Sequence, residues 1–285
     1  MILVTGATGT VGRDVVRELA ARGARVRALV RSLEKAAMFD GLDVDIVKGD
    51  LEDSAAVASA LNGVNRFFLV TAVPPNQLEL EGRLLEAAVT ADVEHIVKLS
   101  ASNVTEDSDV NFFRWHREIE RRIEESGLDW THIQPNNFFQ NTLFQVEPIR
   151  EQGAFYGPFG VGEIASVDTR DVAAVAAIAL TEPDYLDSAL ELTGPAAVTH
   201  DEMARVLSTT TGRDISYVDM SLDEFRASLL DAGRPEYFAE GLSTLYGQLA
   251  EGAQSRVTGT IEQVTGRPAR SFAEFAGDYA EAFSG

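Results

Sequence analysis

Cysteine is missing from this chain of 285 residues. Its absence excludes disulfides, thiolate metal ligands and a cysteine nucleophile, and it suits a reducing compartment. Histidine is scarce. His95, His116, His132 and His200 show no H-E-x-x-H or related spacing, so no metal site is expected. The G-x-S-x-G elbow of serine hydrolases and the G-x-x-x-x-G-K-[ST] phosphate loop are absent as well. No apolar run approaches the ~20 residues that span a bilayer. The longest, Val172 to Leu180, suits a buried helix. The first residues lack the cationic, apolar and small-residue order of a signal peptide and read as a strand, so a cytoplasmic protein without membrane contact is expected. Positive charge is also in deficit, with 24 Lys and Arg against 45 Asp and Glu and a net charge of −21. Such a field repels phosphate backbones and anionic lipid and argues against direct nucleic-acid binding.

What is present begins with enough apolar content, 45%, for a sizeable core. Over residues 1–100, apolar runs alternate with helical segments. Strands are predicted at Ile2–Val4, Ala24–Val30, Val44–Val47, Arg66–Ala72 and His95–Leu99. Helices are predicted between them, ending at stops such as Gly23. Nearly continuous apolar strands alternating with helices indicate a parallel sheet covered on both faces. The expected fold is therefore α/β, a Rossmann-type doubly wound sheet whose ligands sit beyond the carboxyl ends of the strands. Phe112–Ser126 and Asp168–Leu180 read as helices, and Trp130–Gln134 and Ala189–Leu192 as further strands. Residues 137–162, rich in Phe, Gly and Asn, read as irregular chain contributing to a substrate pocket. After Gly194–Pro195 come three capping boxes, Thr199…Glu202, Ser221…Glu224 and Ser271…Glu274, each marking a helix start. The expected division is a nucleotide-binding domain over 1–195 and a small, mostly helical C-terminal cap over 196–285.

Gly6, Gly9 and Gly12 form G-x-x-G-x-x-G between the first strand and the first helix. The first glycine permits a tight turn, the second lets backbone approach a pyrophosphate, and the third lets helix and strand pack closely. Amides at the helix N-terminus then face the phosphates. The TGATGTVG spacing resembles the extended and atypical short-chain dehydrogenase/reductase superfamily. Where NAD enzymes place an acid after strand two, this chain has Arg31, then Ser32 and, one turn on, Lys35. Those cations favour a 2′-phosphate, so NADP(H) is the expected cofactor. By position, Asp50 and Leu51 after strand three would contact the adenine, and Thr71, Ala72 and Val73 after strand four the adjacent ribose.

The Tyr-x-x-x-Lys pair of short-chain reductases is missing from the helix after strand five. Its i, i+4 slot holds His116 and Glu120, while Ser100 and Ser102 stand at the serine position before it. At roughly 100° per residue, Phe112, His116, Ile119 and Ile123 share one face with Glu120 at its edge. Glu120 is thus placed to hydrogen-bond His116 and raise its pKa, or to accept from a ribose hydroxyl. His116, Glu120 and Ser100 are the candidate catalytic residues, against the alternative of a surface pair closing one helical turn.

Together with Gln134-Pro135-Asn136-Asn137-Phe138 and Val167-Asp168-Thr169-Arg170-Asp171-Val172-Ala173, these motifs resemble the NmrA-like proteins, atypical short-chain relatives. Within that family they resemble the NADPH-dependent quinone, azo-dye and triphenylmethane reductases. The resemblance implies that Gly6, Thr8, Gly9, Thr10, Val11 and Gly12 hold the pyrophosphate and that Arg31 and Lys35 hold the 2′-phosphate. It further implies that Thr71, Ala72 and Val73 line the cofactor and that Pro135, Asn136, Asn137 and Phe138 border the nicotinamide. A quinone or cationic dye gives a stabilised product on accepting hydride, so orientation can suffice without the tyrosine. Phe138, Phe139, Phe144, Phe155, Tyr156 and Phe159 offer an aromatic lining for a flat, conjugated small-molecule substrate, or the core of the cap. The competing function is a non-catalytic NADP(H)-sensing regulator that controls a partner protein. A protein partner and a homo-oligomer both stay open.

Overall fold

The structure, a computed structural model, describes residues 1–284. The first half runs β1 (Ile2–Val4), α1 (Gly12–Ala21), β2 (Val26–Val30), α2 (Leu33–Ala36), β3 (Val44–Lys48), α3 (Ser54–Leu61), β4 (Arg66–Leu69), α4 (Gln77–Thr90), β5 (His95–Leu99), α5 (Asn111–Glu124) and β6 (Asp129–Pro135). There follow α6 (Val146–Gln152), β7 (Ala154–Gly157), α7 (Thr169–Thr181), β8 (Ser188–Leu192), α8 (His200–Thr211), β9 (Ser216–Asp219), α9 (Leu222–Asp231) and α10 (Glu236–Ala250). The chain ends in α11 (Thr260–Thr265), α12 (Phe272–Asp278) and α13 (Ala280–Ser284).

Seven strands form one sheet in the order β3-β2-β1-β4-β5-β6-β8. The pairings from β3 through β6 are parallel, as the strand–helix alternation predicts. One face carries a cluster in which Leu3, Phe67, Leu69 and Ile96 pack with Val57 of α3, Leu84 and Leu85 of α4, and Ile119 and Ile123 of α5. On α7 every residue from Val172 to Leu180 is buried; the helix packs on β4, β5 and β6 and against α1. The predicted fourth strand is cut short. It stops at Leu69 because the next amide, that of Val70, donates to the Thr5 hydroxyl at 3.0 Å instead of to a neighbouring strand.

The expected boundary at residue 195 does not match the compact units. One unit comprises 1–107, 113–135 and 169–191; the other comprises 108–112, 136–168 and the chain from Leu192 onward. Within the second unit, Asn136 donates its amide to Leu192 and its side chain to Gln254, and Ile164 bridges Val198. Residues 137–162 are also more ordered than their composition suggests. They hold a 3-10 segment, α6 and β7, and β7 pairs in parallel with β9 from Ala154↔Ser216 to Gly157↔Asp219. All three predicted capping boxes form, on α8, α9 and α12.

Candidate functional site

The site is built from the carboxyl ends of β1, β2, β4 and β5. Thr5 closes β1 by donating to Val70 O at 2.9 Å, which anchors the glycine turn to the end of β4. Gly6 has φ +55°, and a Cβ there would lie 3.1 Å from Val70 O, so a side chain would be both strained and crowded. At Gly12 a Cβ would meet Gly6 O at 2.2 Å; the first turn of α1 rests directly on the backbone of the loop. Gly9 donates its amide to Gly6 O at 2.8 Å, and a Cβ there would lie 3.1 Å from the same oxygen. Gly6, Gly9 and Thr10 are exposed, Thr8 is half-buried, and Val11 and Gly12 are buried. Helix α1 has no side-chain cap on its first amides. An exposed glycine backbone over an uncapped ten-residue helix fits the pyrophosphate of a dinucleotide.

Arg31 and Lys35 are exposed, with Ser32 half-buried between them. Neither cation has an ion-pair partner among the described residues, whereas Arg27 nearby pairs with Asp45 at 2.7 Å. Asp50 is exposed and turns its carboxylate back onto the Glu52 amide at 3.0 Å, while Leu51 packs against the sheet cluster. Beyond β4, Thr71 and Val73 are half-buried and Ala72 is exposed. The Thr71 hydroxyl donates to Glu81 Oε1 at 2.6 Å.

Behind these groups lies a buried polar layer that the sequence reading missed. Lys98 of β5 and Glu81 of α4 form an ion pair at 3.0 Å with side-chain exposures of 0% and 2%. Lys98 Nζ also donates to Leu99 O at 3.0 Å and to His116 Nδ1 at 2.9 Å. The expected His116–Glu120 contact is replaced: Glu120 takes Gln134 Nε2 at 2.8 Å and Arg117 Nη1 at 3.2 Å. The expected rise in the His116 pKa is reversed, since burial and the Lys98 ammonium hold it well below the ordinary 6.5. The signal for Lys98 was there to be read: a lysine in the apolar strand HIVKL, two residues after Ile96, points to the same face as Ile96. Ser100 and Ser102 follow on. Both hydroxyls are buried without a hydrogen-bond partner among the described residues, while their amides donate to Ile133 and Pro135.

Among the second-unit candidates, Asn136 is buried and braced, accepting the Asn137 amide at 2.6 Å. Asn137 bonds to Ser166 and Asn141, and Phe138 is half-buried. Phe139, Phe155 and Phe159 belong to apolar cores, Phe144 is 83% exposed, and Tyr156 is half-buried and bonded to Gln152. At least half of the proposed aromatic lining is therefore core.

The NmrA-like family model matches residues 1–279. The chain belongs to the NmrA-like family. It is 40% identical over 283 residues to the NAD(P)H azoreductase of Xenophilus azovorans, covering 99% of each chain. Over 285 residues it is 39% identical to the (4-alkanoyl-5-oxo-2,5-dihydrofuran-3-yl)methyl phosphate reductase of Streptomyces griseus, covering 100% of this chain and 99% of that protein. The fold of this NmrA-like chain superposes on the crystal structure of an NADPH-dependent quinone oxidoreductase from Escherichia coli complexed with NADPH. The TM-score is 0.86 at 28% identity, over 98% of this chain and 99% of that one.

Proposed function

We propose that this chain is an NADPH-dependent reductase that passes hydride to a quinone, an azo dye or another electron-poor conjugated substrate, without a Tyr-x-x-x-Lys pair. The observation that carries the proposal is the likeness to an azoreductase over the whole chain at 40% identity. The site agrees with it. Gly6, Thr8, Gly9, Thr10, Val11 and Gly12 would cradle the pyrophosphate on backbone. Arg31 and Lys35, unpaired on an acidic protein, together with Ser32 suit the 2′-phosphate. Asp50 and Leu51 would border the adenine, and Thr71, Ala72 and Val73 the ribose. Pro135, Asn136, Asn137 and Phe138 remain the candidates for bordering the nicotinamide. NADPH, when bound, supplies the hydride.

The residues of the chain then have to hold the substrate and stabilise the charge it gains. Glu120 is engaged by Gln134 and Arg117 and acts as a brace. His116 and the unpartnered Ser100 hydroxyl are left as groups for the substrate. The test follows NADPH absorbance over a panel of quinones, azo dyes, triphenylmethane dyes and enones. Turnover of at least one class is expected. Tight cofactor binding with no turnover across the panel would instead favour a dinucleotide-sensing regulator.

A further inference from the structure

The Lys98 ammonium is paired by charge with Glu81 Oε2 and donates hydrogen bonds to Leu99 O and His116 Nδ1. An ammonium cannot accept, so Nδ1 of His116 must present a lone pair to it. The proton of the neutral ring then sits on Nε2. Nε2 has no hydrogen-bond partner among the described residues, and it is not one of the enclosed unpartnered atoms. His116 is half-buried and stands beside the carboxyl end of β5, where ligands of such sheets bind. The other end of the same chain of contacts is fixed in the opposite sense. Glu81 accepts from Gln77 Nε2 at 3.0 Å as well as from Thr71, so the Thr71 hydroxyl spends its proton inward and offers only lone pairs outward.

We propose that the buried Glu81–Lys98 pair is a positioning device that fixes the polarity of the site, holding His116 as an Nε2–H donor toward the substrate and Thr71 as an acceptor toward the cofactor ribose. The donor role rests on the reductase reading; the tautomer does not. Hydride added to a quinone leaves its electron pair on a carbonyl oxygen. His116 donates a hydrogen bond to that oxygen while staying neutral, and water then protonates the product. A neutral imidazole acting this way is an electrophile and not a general acid.

The groups around His116 agree with this assignment. Lys98 comes from β5, with Glu81 of α4 behind it. On its own helix, Glu120 and Arg117 are turned to each other, and Glu120 also holds Gln134 of β6. His132 of β6 stands 3.4 Å from Glu124. Burial and Lys98 both push against a charge on His116, so the neutral form persists through mildly acid pH.

The test compares the wild-type chain with E81Q/K98M. The double variant removes both charges at once, because K98M alone would strand a buried carboxylate. Nitrogen-15 NMR of labelled histidine should show a protonated Nε2 and a bare Nδ1 for His116 in the wild type across neutral pH. In the folded double variant the two tautomers should mix and the ring should titrate closer to 6.5. Its kcat should fall about tenfold above that pKa, the worth of one good hydrogen bond. The rate should recover below it, because an imidazolium always carries a proton on Nε2. A wild-type proton on Nδ1, or an unchanged tautomer in the double variant, overturns the positioning role. An altered tautomer with an unchanged rate and pH profile overturns the donor role. An altered tautomer in a protein that turns over no substrate supports the device and rejects the reductase.

Discussion

Arg31 is the side chain on which the proposed preference for NADPH turns. It is exposed after β2 with no ion-pair partner among the described residues, and Lys35 lies one turn along. Arg31→Glu should weaken NADPH binding by roughly 10- to 100-fold, the scale of a charge-assisted hydrogen bond. NADH should then become the better ligand in a fluorescence titration, and equal affinities before and after the change would remove the assignment. The placement of Arg31 directly after β2 was legible in the sequence because it follows from strand order alone. The partner of His116 was not. Helical spacing pointed to Glu120, four residues away, but Gln134 and Arg117 satisfy that carboxylate from β6 and from the same helix. The true partner, Lys98, is brought in by sheet packing, and periodicity within one element says nothing of what faces it.

Among the elements, α9 is the one that depends most on its ends, since none of its residues is buried. Its capping box is complete: Ser221 Oγ accepts the Glu224 amide at 3.2 Å, and Glu224 accepts the Ser221 amide at 2.9 Å. Ser221→Ala should cost about 1 kcal/mol of local stability. Hydrogen exchange should show faster amide exchange in α9 with the sheet unchanged; equal exchange in α9 would mean that packing on α10 holds the helix alone. Capping boxes are readable because donor and acceptor lie three residues apart. The pairing of β7 with β9 is of another kind. The strand AFYG is four residues long, too short for an alternating pattern, and its partner lies some sixty residues away in the chain. Length, and not propensity, hid it.

At the scale of the whole molecule, stability should follow the histidines. Burial pushes His95, His132 and His200 down to about 4 from an ordinary 6.5. The unfolded chain therefore binds protons that the folded chain refuses between those values. Stability from these groups is full above pH 6.5 and is lost as the pH falls toward 4, by an amount on the order of a few kcal/mol per histidine at most. Urea titrations at pH 7 and pH 5 should show a lower midpoint at pH 5, and an equal or higher one would contradict the buried neutral state. The interleaving of the two units has a further consequence, for biosynthesis. A nascent chain that has emerged only to residue 160 holds β1 to β6 but lacks α7 and β8, so the part of its sheet that α7 covers, over β4 to β6, stays bare. It also carries β7 without β9, which is some sixty residues from being made. Neither unit can be completed by the ribosome before the other has begun, and a gene cut at any single point yields no finished half.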